Sequence, residues 1–401
     1  LVLGLGLILL PLGCGGGGGE TASNPPASDV QTWATALPTK HPNLYFKLPK
    51  SQYDQLVQQL IKDEPSLPKE ALLVRWQAIV GAIGDEHTGF DYPELTASTL
   101  PIRTRSFPDG IYVVDATSAN ADLIGSRLES LGGSPAQHLQ EALRPYIPIS
   151  IEAAFQRLSG QYLALTPGFM AAAGILPAAS HYSCQFTLAA GATVQRDLPV
   201  STTFQGTYLS ALRRDEEPAS NYFLREDSTT GVVYVRYRLC AEMPSRPMST
   251  FTNDVMATLG HSTSTRIIVD LRGNPGGNTA VLQPLLDQVK ASPFNAKDKF
   301  KVLMDAGTFS SGFNHAAYCT FSMSATLLGE NAGQALWSYG DLGRLTLPSG
   351  RGAYHSTKLF TFGPGGLSEP FHTPLLPDVA VPETIQDFRS AQDPVLVAAM
   401  Q

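Results

Sequence analysis

Cysteine is scarce in this chain, with four in 401 residues at positions 14, 184, 240 and 319 and no C-x-x-C pair among them. That count excludes a disulfide framework, and the spacing excludes paired-cysteine zinc and redox sites. Basic charge is also in deficit. With 28 Lys+Arg against 35 Asp+Glu the net charge is −7, so no positive field gathers phosphate and nucleic acid is excluded as a partner. H-E-x-x-H and P-loop patterns are missing too, and no metal or organic cofactor is implied. What is present is 43% hydrophobic, 9% aromatic and 16% charged residues, the composition of a folded protein with a sizeable core. The length fits two to three domains or one large α/β enzyme.

Leu1–Leu12 reads LVLGLGLILLPL, the length of a signal-peptide apolar core and too short to cross a bilayer as a helix. Gly13 and Cys14 follow, then Gly15 to Gly19 and the polar stretch ETASNPPASD. A small residue before a cysteine after an apolar run resembles the lipobox of bacterial lipoproteins, although Pro11 stands where Leu is usual. The resemblance implies a lipid on Cys14, with residues 1–28 as signal and glycine-rich tether. The protein is then exported and lipid-anchored at the bacterial cell envelope, with the membrane as a partner through that anchor.

Residues 29–100 read as a helical module. Leu56, Val57, Leu60 and Ile61, then Leu72, Leu73, Trp76, Ile79, Val80 and Ile83, recur at helical spacing. Gly84 fits a helix C-cap that delivers Asp85-Glu86-His87-Thr88 to an exposed turn. Residues 101–225 alternate short β-like runs (111–114, 186–188, 197–200) with Gly, Pro and Ser clusters and one helix over 134–143, a mixed α+β region. From 226 to 401 strands at 232–237, 266–271 and 301–304 alternate with helices at 250–259 and 279–289, an α/β core.

Two segments carry chemistry. In Asp270-Leu-Arg-Gly-Asn-Pro-Gly-Gly277 a buried strand enters a glycine turn and then a helix, leaving N–H groups free for an anion or oxyanion. The same pattern also suits a plain tight turn. In the second segment Thr308-Phe-Ser310 lies between a strand and a helix. There Ser310 is either an N-cap or a nucleophile at a helix N-terminus. Thr308 breaks the G-x-S-x-G elbow of the α/β-hydrolases.

These segments, with Gly329-Glu330, resemble peptidase family S41, the C-terminal processing or tail-specific proteases. His41-Pro-Asn43, Gly84-Asp-Glu-His-Thr88, Asp109-Gly-Ile-Tyr112, Leu347-Pro-Ser349, Pro377-Asp378 and Asp393-Pro-Val-Leu396 follow in the order of one bacterial branch. The resemblance implies a crotonase-like ββα spiral (ClpP/crotonase) as catalytic core and a peptide or protein as substrate. It also implies a degenerate PDZ-like reading of 101–225, where the Gly-Leu-Gly-Phe-like carboxylate loop is lacking. Well-known members use a Ser-Lys dyad with the lysine about two dozen residues past the serine. Here no lysine lies between Lys301 and Lys358. The resemblance to the tricorn-like branch then implies Ser310 as nucleophile and His87 as base, separation in sequence being no obstacle. His315, five residues past Ser310, is off the i+3/i+4 face. Asp85, Glu86, Glu330, Asp341 and Glu369 are candidates to orient His87, with Asp85 and Glu330 foremost. Gly276 or Gly277 together with Ser311 are expected to supply the oxyanion N–H groups, and Asp270 with Arg272 a structural ion pair. The expected activity is serine-type peptide hydrolysis. The alternatives are a non-catalytic ligand- or peptide-binding lipoprotein on the same fold, or an envelope scaffold with a vestigial site.

Overall fold

The computed structural model describes residues 28–201, 208–210 and 220–401; Cys14 and the tether lie outside them. Three helices, Asp29–Lys40, Lys50–Asp63 and Lys69–Ile83, form the N-terminal part. Val30, Trp33, Ala34 and Leu37 recur at i, i+3, i+4 and i+7 and are buried. Trp33 meets Trp76 edge-on at 5.4 Å. The third helix ends at Gly84, whose φ of 71° is the left-handed C-cap that glycine adopts without strain.

Residues 102–199 supply most of a seven-stranded antiparallel sheet, to which 208–210 also pairs. Its strands include Ile102–Phe107, Gly110–Thr117, His181–Thr187 and Thr193–Pro199, each longer than the apolar runs that marked three of them. The expected helix over 134–143 is Ala136–Ala142, and Glu152–Leu165 packs beside it.

The third part is built on a six-stranded sheet in the order Val379–Ala380, Thr326–Gly329, Phe300–Met304, Arg266–Asp270, Val232–Tyr237, Tyr222–Asp227. All neighbours are parallel except the last pair. Helices cover both faces, so these strands are apolar without alternation. Ile267 and Val269 face a cluster with the helices Met248–Leu259, Gln283–Lys290 and Ser311–Phe321. Ile268 faces the other way, toward Leu303, Leu328 and Val395 of the final helix Pro394–Met400. The α/β architecture is thus as expected from the sequence.

One expectation fails here. The helix after the glycine turn begins at Gln283 rather than Thr279. Residues 276–278 are instead bridged to Cys240, whose N–H donates to the Gly276 carbonyl at 3.0 Å and whose carbonyl accepts from Asn278 at 2.7 Å, and residues 279–282 form turns. Helix begins only with Pro284 in its first turn. A further element, the antiparallel hairpin Trp337–Thr346 and Gly352–Thr361, pairs with Gly89–Phe90 and so sits over the His87 turn.

Candidate active site

Ser310 follows the end of the strand Phe300–Met304 and precedes the helix Ser311–Phe321. Its backbone sits at φ 53°, ψ −123°, and its side chain makes no N-cap hydrogen bond. A non-glycine residue there carries roughly 1–3 kcal/mol of strain, and the surroundings hold it. Thr308 donates its hydroxyl to the Leu271 carbonyl at 2.9 Å, and Phe309 donates its N–H to the Asn274 carbonyl at 2.9 Å. These two bonds lock the serine turn against the glycine turn. The Ser310 N–H donates to Oε1 of Gln334 at 2.8 Å, and Gln334 is itself buried and donates to Ser338 at 2.5 Å.

His87 approaches from the turn after Gly84. Its Nε2 lies 3.0 Å from the Ser310 Oγ, across 223 residues of chain. The ring stacks on Phe309, with centroids 4.8 Å apart and planes within 12°. The turn is buried, not exposed as its sequence suggested, because the hairpin covers it: Asp85, Glu86, His87 and Thr88 are each under 9% accessible. Burial holds the His87 pKa below its ordinary 6.5, with Asp85 and the Tyr339 backbone acting in the opposite sense. The imidazole is therefore neutral at neutral pH. Its Nδ1 is buried with no well-formed hydrogen bond.

Neither foremost carboxylate orients that ring. Asp85 accepts from the His87 backbone N–H at 3.1 Å, from Thr88 at 2.5 Å, from Ser356 at 2.7 Å and from Nε2 of His41 at 3.0 Å. It is the hub that fixes the turn, held below the ordinary carboxylate range by His41, His87 and Thr88 against its own desolvation. Nδ1 of His41 accepts from the Asn43 N–H at 3.1 Å, so Nε2 carries the proton given to Asp85. Glu330 accepts from the Glu383 N–H at 3.0 Å, away from the ring. Of the other carboxylates weighed, Glu86 accepts from the N–H and hydroxyl of Ser150, and Asp341 pairs with Lys358.

The oxyanion candidates separate in the same way. The Gly276 N–H is taken by Oδ1 of Asn274 at 2.8 Å and cannot serve. The Gly277 N–H points away from Cys240, since the same peptide turns its carbonyl toward the Cys240 N–H. Ser311 is the first residue of its helix, where N–H groups have no intrahelical partner. A Cβ placed on Gly276 would lie 2.6 Å from the Ser310 Cβ, 2.9 Å from the Ser311 N and 3.0 Å from the Ser310 Oγ. The bare Cα of Gly276 thus keeps open the space where the Ser310 hydroxyl and the Ser311 N–H converge.

Asp270 and Arg272 form the expected pair, at 2.6 Å and fully buried, and Arg272 also binds Asp393 at 2.7 and 2.8 Å. His315 donates from Nε2 to the Thr279 carbonyl at 2.9 Å and does not reach Ser310. A large cavity lies elsewhere, between Trp76, Glu94 and Arg351, and contains none of these groups. Among the described residues no cluster of His, Cys, Asp and Glu has the form of a metal site. Sequence reasoning missed Gln334, whose one signal was its separation of 24 residues from Ser310, the distance at which the lysine was sought. It also missed His41, which lies in a quoted motif but was given no role.

No family model and no curated protein matches the chain. Solved structures do. Mature CPAF complexed with lactacystin superposes with a TM-score of 0.65 at 14% identity, over 90% of this chain and 94% of that one. Mature CPAF alone gives 0.62 at 12%, over 90% and 93%. At such identities the likeness is one of fold: nearly the whole described chain has the α/β fold of CPAF.

Proposed function

We propose that the chain is a serine-type peptidase of the S41 kind, with Ser310 as nucleophile and His87 as base. The observation that carries this reading is the 3.0 Å contact between His87 Nε2 and Ser310 Oγ, with the serine in a strained conformation at a helix entrance. The fold shared with CPAF supports it. His87 with its proton on Nδ1 accepts the Ser310 proton as Oγ attacks a peptide carbonyl. Charge developing on the carbonyl oxygen is met by the N–H groups of Gly277 and Ser311. His87 then gives the proton to the leaving amine, and water, activated by the same ring, hydrolyses the acyl-enzyme. Gln334 holds the Ser310 backbone throughout.

The lipobox-like segment supports export and anchoring at the cell envelope through Cys14. Cys14→Ser in the full precursor is expected to move the protein from the membrane to the soluble fraction, and an unchanged distribution refutes the anchor.

A fluorophosphonate probe tests the nucleophile. The wild-type chain is expected to label, with labelling abolished in Ser310→Ala and slowed at least about 100-fold in His87→Ala. Absence of wild-type labelling, or labelling unaffected by Ser310→Ala, sinks the serine reading and leaves a binding protein on the same fold.

A further inference from the structure

Asn274 is fully buried in the glycine turn that follows the strand Arg266–Asp270, and each polar atom of its side chain has a partner. Its Oδ1 accepts from the Gly276 N–H at 2.8 Å and from the Cys240 thiol at 3.4 Å. Its Nδ2 donates to the Tyr237 carbonyl at 2.8 Å, at the end of the strand Val232–Tyr237. Backbone N–H groups only donate and carbonyls only accept, so these contacts fix which end of the amide is which. The backbone carbonyl of Asn274 accepts from the Phe309 N–H at 2.9 Å, next to Ser310. A Cβ on Gly312 would lie 2.9 Å from that carbonyl oxygen and 3.1 Å from Oδ1, so the start of the helix also rests on Asn274. One residue therefore joins a strand end, the glycine turn and the serine turn.

The glycine turn is pinned on two successive peptide planes. The plane that carries the Gly276 N–H is drawn onto Asn274, and the next gives the Gly276 carbonyl to Cys240 at 3.0 Å. Between them Gly276 takes φ +102°. The Gly277 N–H, opposite its own peptide's carbonyl, is thereby turned away from Cys240. Loss of Oδ1 leaves the first plane free to rotate about Gly276, which has no Cβ to resist, and with it the direction of the Gly277 N–H.

We propose that Asn274 is a positioning residue for the oxyanion site: its amide aims the Gly277 N–H at the oxygen that the Ser311 N–H also meets. This rests on the peptidase reading and deepens it by naming what holds the donors in place. Asn274 itself touches no reacting atom. An oxyanion donor acts by being aimed before charge develops, so a rotated donor costs rate and little binding.

Fluorophosphonate labelling by the full chain, resolved into KI and kinact, tests the proposal with Asn274→Asp as the central variant. The neutral acid has the shape of the amide and reproduces its bonds, the carbonyl oxygen accepting from Gly276 and the hydroxyl donating to Tyr237. The ionised acid has no donor and sets a second acceptor against the Tyr237 carbonyl, and burial raises its pKa. The titratable groups beside it keep their state from about pH 5.5 to 8. Burial pushes the Cys240 thiol up to about 12, the His315 imidazole down to about 4 and the Tyr237 phenol upward. Division by the wild-type rate at each pH removes the titration of His87. At pH 8 the kinact of Asn274→Asp is expected to fall at least about 100-fold, with KI within about three-fold of wild type. By pH 5.5 its ratio to wild type should recover at least about ten-fold, while Asn274→Ala stays low throughout. Thermal unfolding shows which chains are folded. Labelling by either folded variant within about three-fold of wild type at pH 8 overturns the proposal. So does a loss that falls on KI, or one that does not recover at pH 5.5 in a folded Asn274→Asp chain. An Asn274→Asp chain that is unfolded at pH 5.5 overturns it as well, because the neutral acid should keep every bond. Absence of labelling by the wild type refutes the peptidase reading, and this proposal with it, whereas every other outcome is a ratio to a wild type that labels.

Discussion

At the scale of residues, the site depends on atoms that are missing as much as on those present. Gly276 has no Cβ, and its φ of +102° disfavours one. Gly276→Ala is expected to leave the chain folded but to cut the fluorophosphonate labelling rate at least about 100-fold, the cost of disturbing one oxyanion donor. A labelling rate within three-fold of wild type would place the oxyanion elsewhere. His87 sets a pH dependence. Its pKa lies below the ordinary 6.5 because burial disfavours the charged ring. Folding favours the neutral form, which is the one the proposed base role requires, so the labelling rate should rise with pH on a limb centred below 6.5 and be flat from about pH 7 to 8. A midpoint above 6.5 would mean that a buried carboxylate governs the ring after all. What was legible at this scale was chemistry attached to a motif, namely Ser310, His87 and the glycine turn. Gln334 was not, because an amide has no titration and no metal or nucleophile pattern, and its role is created by the turn it reaches.

At the scale of elements, the sequence marked some segments well. Helix and cap around Gly84 follow from apolar spacing and glycine, and the strand Val232–Tyr237 from a β-branched run closed by Gly231. The hairpin Trp337–Thr361 was not legible. Its burial pattern alternates poorly, Gly340 and Gly343 interrupt it, and its partner Gly89–Phe90 is two residues long. Yet this hairpin buries the His87 turn and thereby determines the ionisation of two groups in it. For Glu86 the consequence is testable. Its carboxyl is pushed up to about 7 by desolvation, so folding favours the protonated acid. The wild type loses stability as pH rises from the unfolded value through the folded one. Glu86→Gln keeps an acceptor for Ser150 and removes the charge. The variant should gain about 2–4 °C in Tm relative to wild type at pH 8, and much less at pH 5. Equal shifts at both pH values would show that Glu86 is ionised in the native protein throughout.

At the scale of the whole molecule, His87 and Ser310 come from parts that fold around separate apolar clusters, the helical module in one and the parallel sheet in the other. Neither cluster brings Nε2 to Oγ by itself; polar contacts between the parts do. Asp85 is central among them, because it ties the end of the first helix through His41, the His87 turn through its N–H and Thr88, and the hairpin through Ser356. Removing the carboxylate strands four donors in the interior, so Asp85→Ala should cost about 3 kcal/mol of unfolding free energy in urea. It should also slow fluorophosphonate labelling at least ten-fold under conditions where the chain is folded, since the turn loses its anchor while Ser310 keeps its own. The pH sense follows from the lowered pKa: the contribution of Asp85 is present above the ordinary carboxylate range and is lost as pH falls through the lower folded value. The stability gap between wild type and Asp85→Ala should therefore narrow in strong acid. A variant that is less stable but labels at the wild-type rate would show that the alignment of His87 with Ser310 is carried by the Phe309 stack and the hairpin, with Asp85 contributing to cohesion alone.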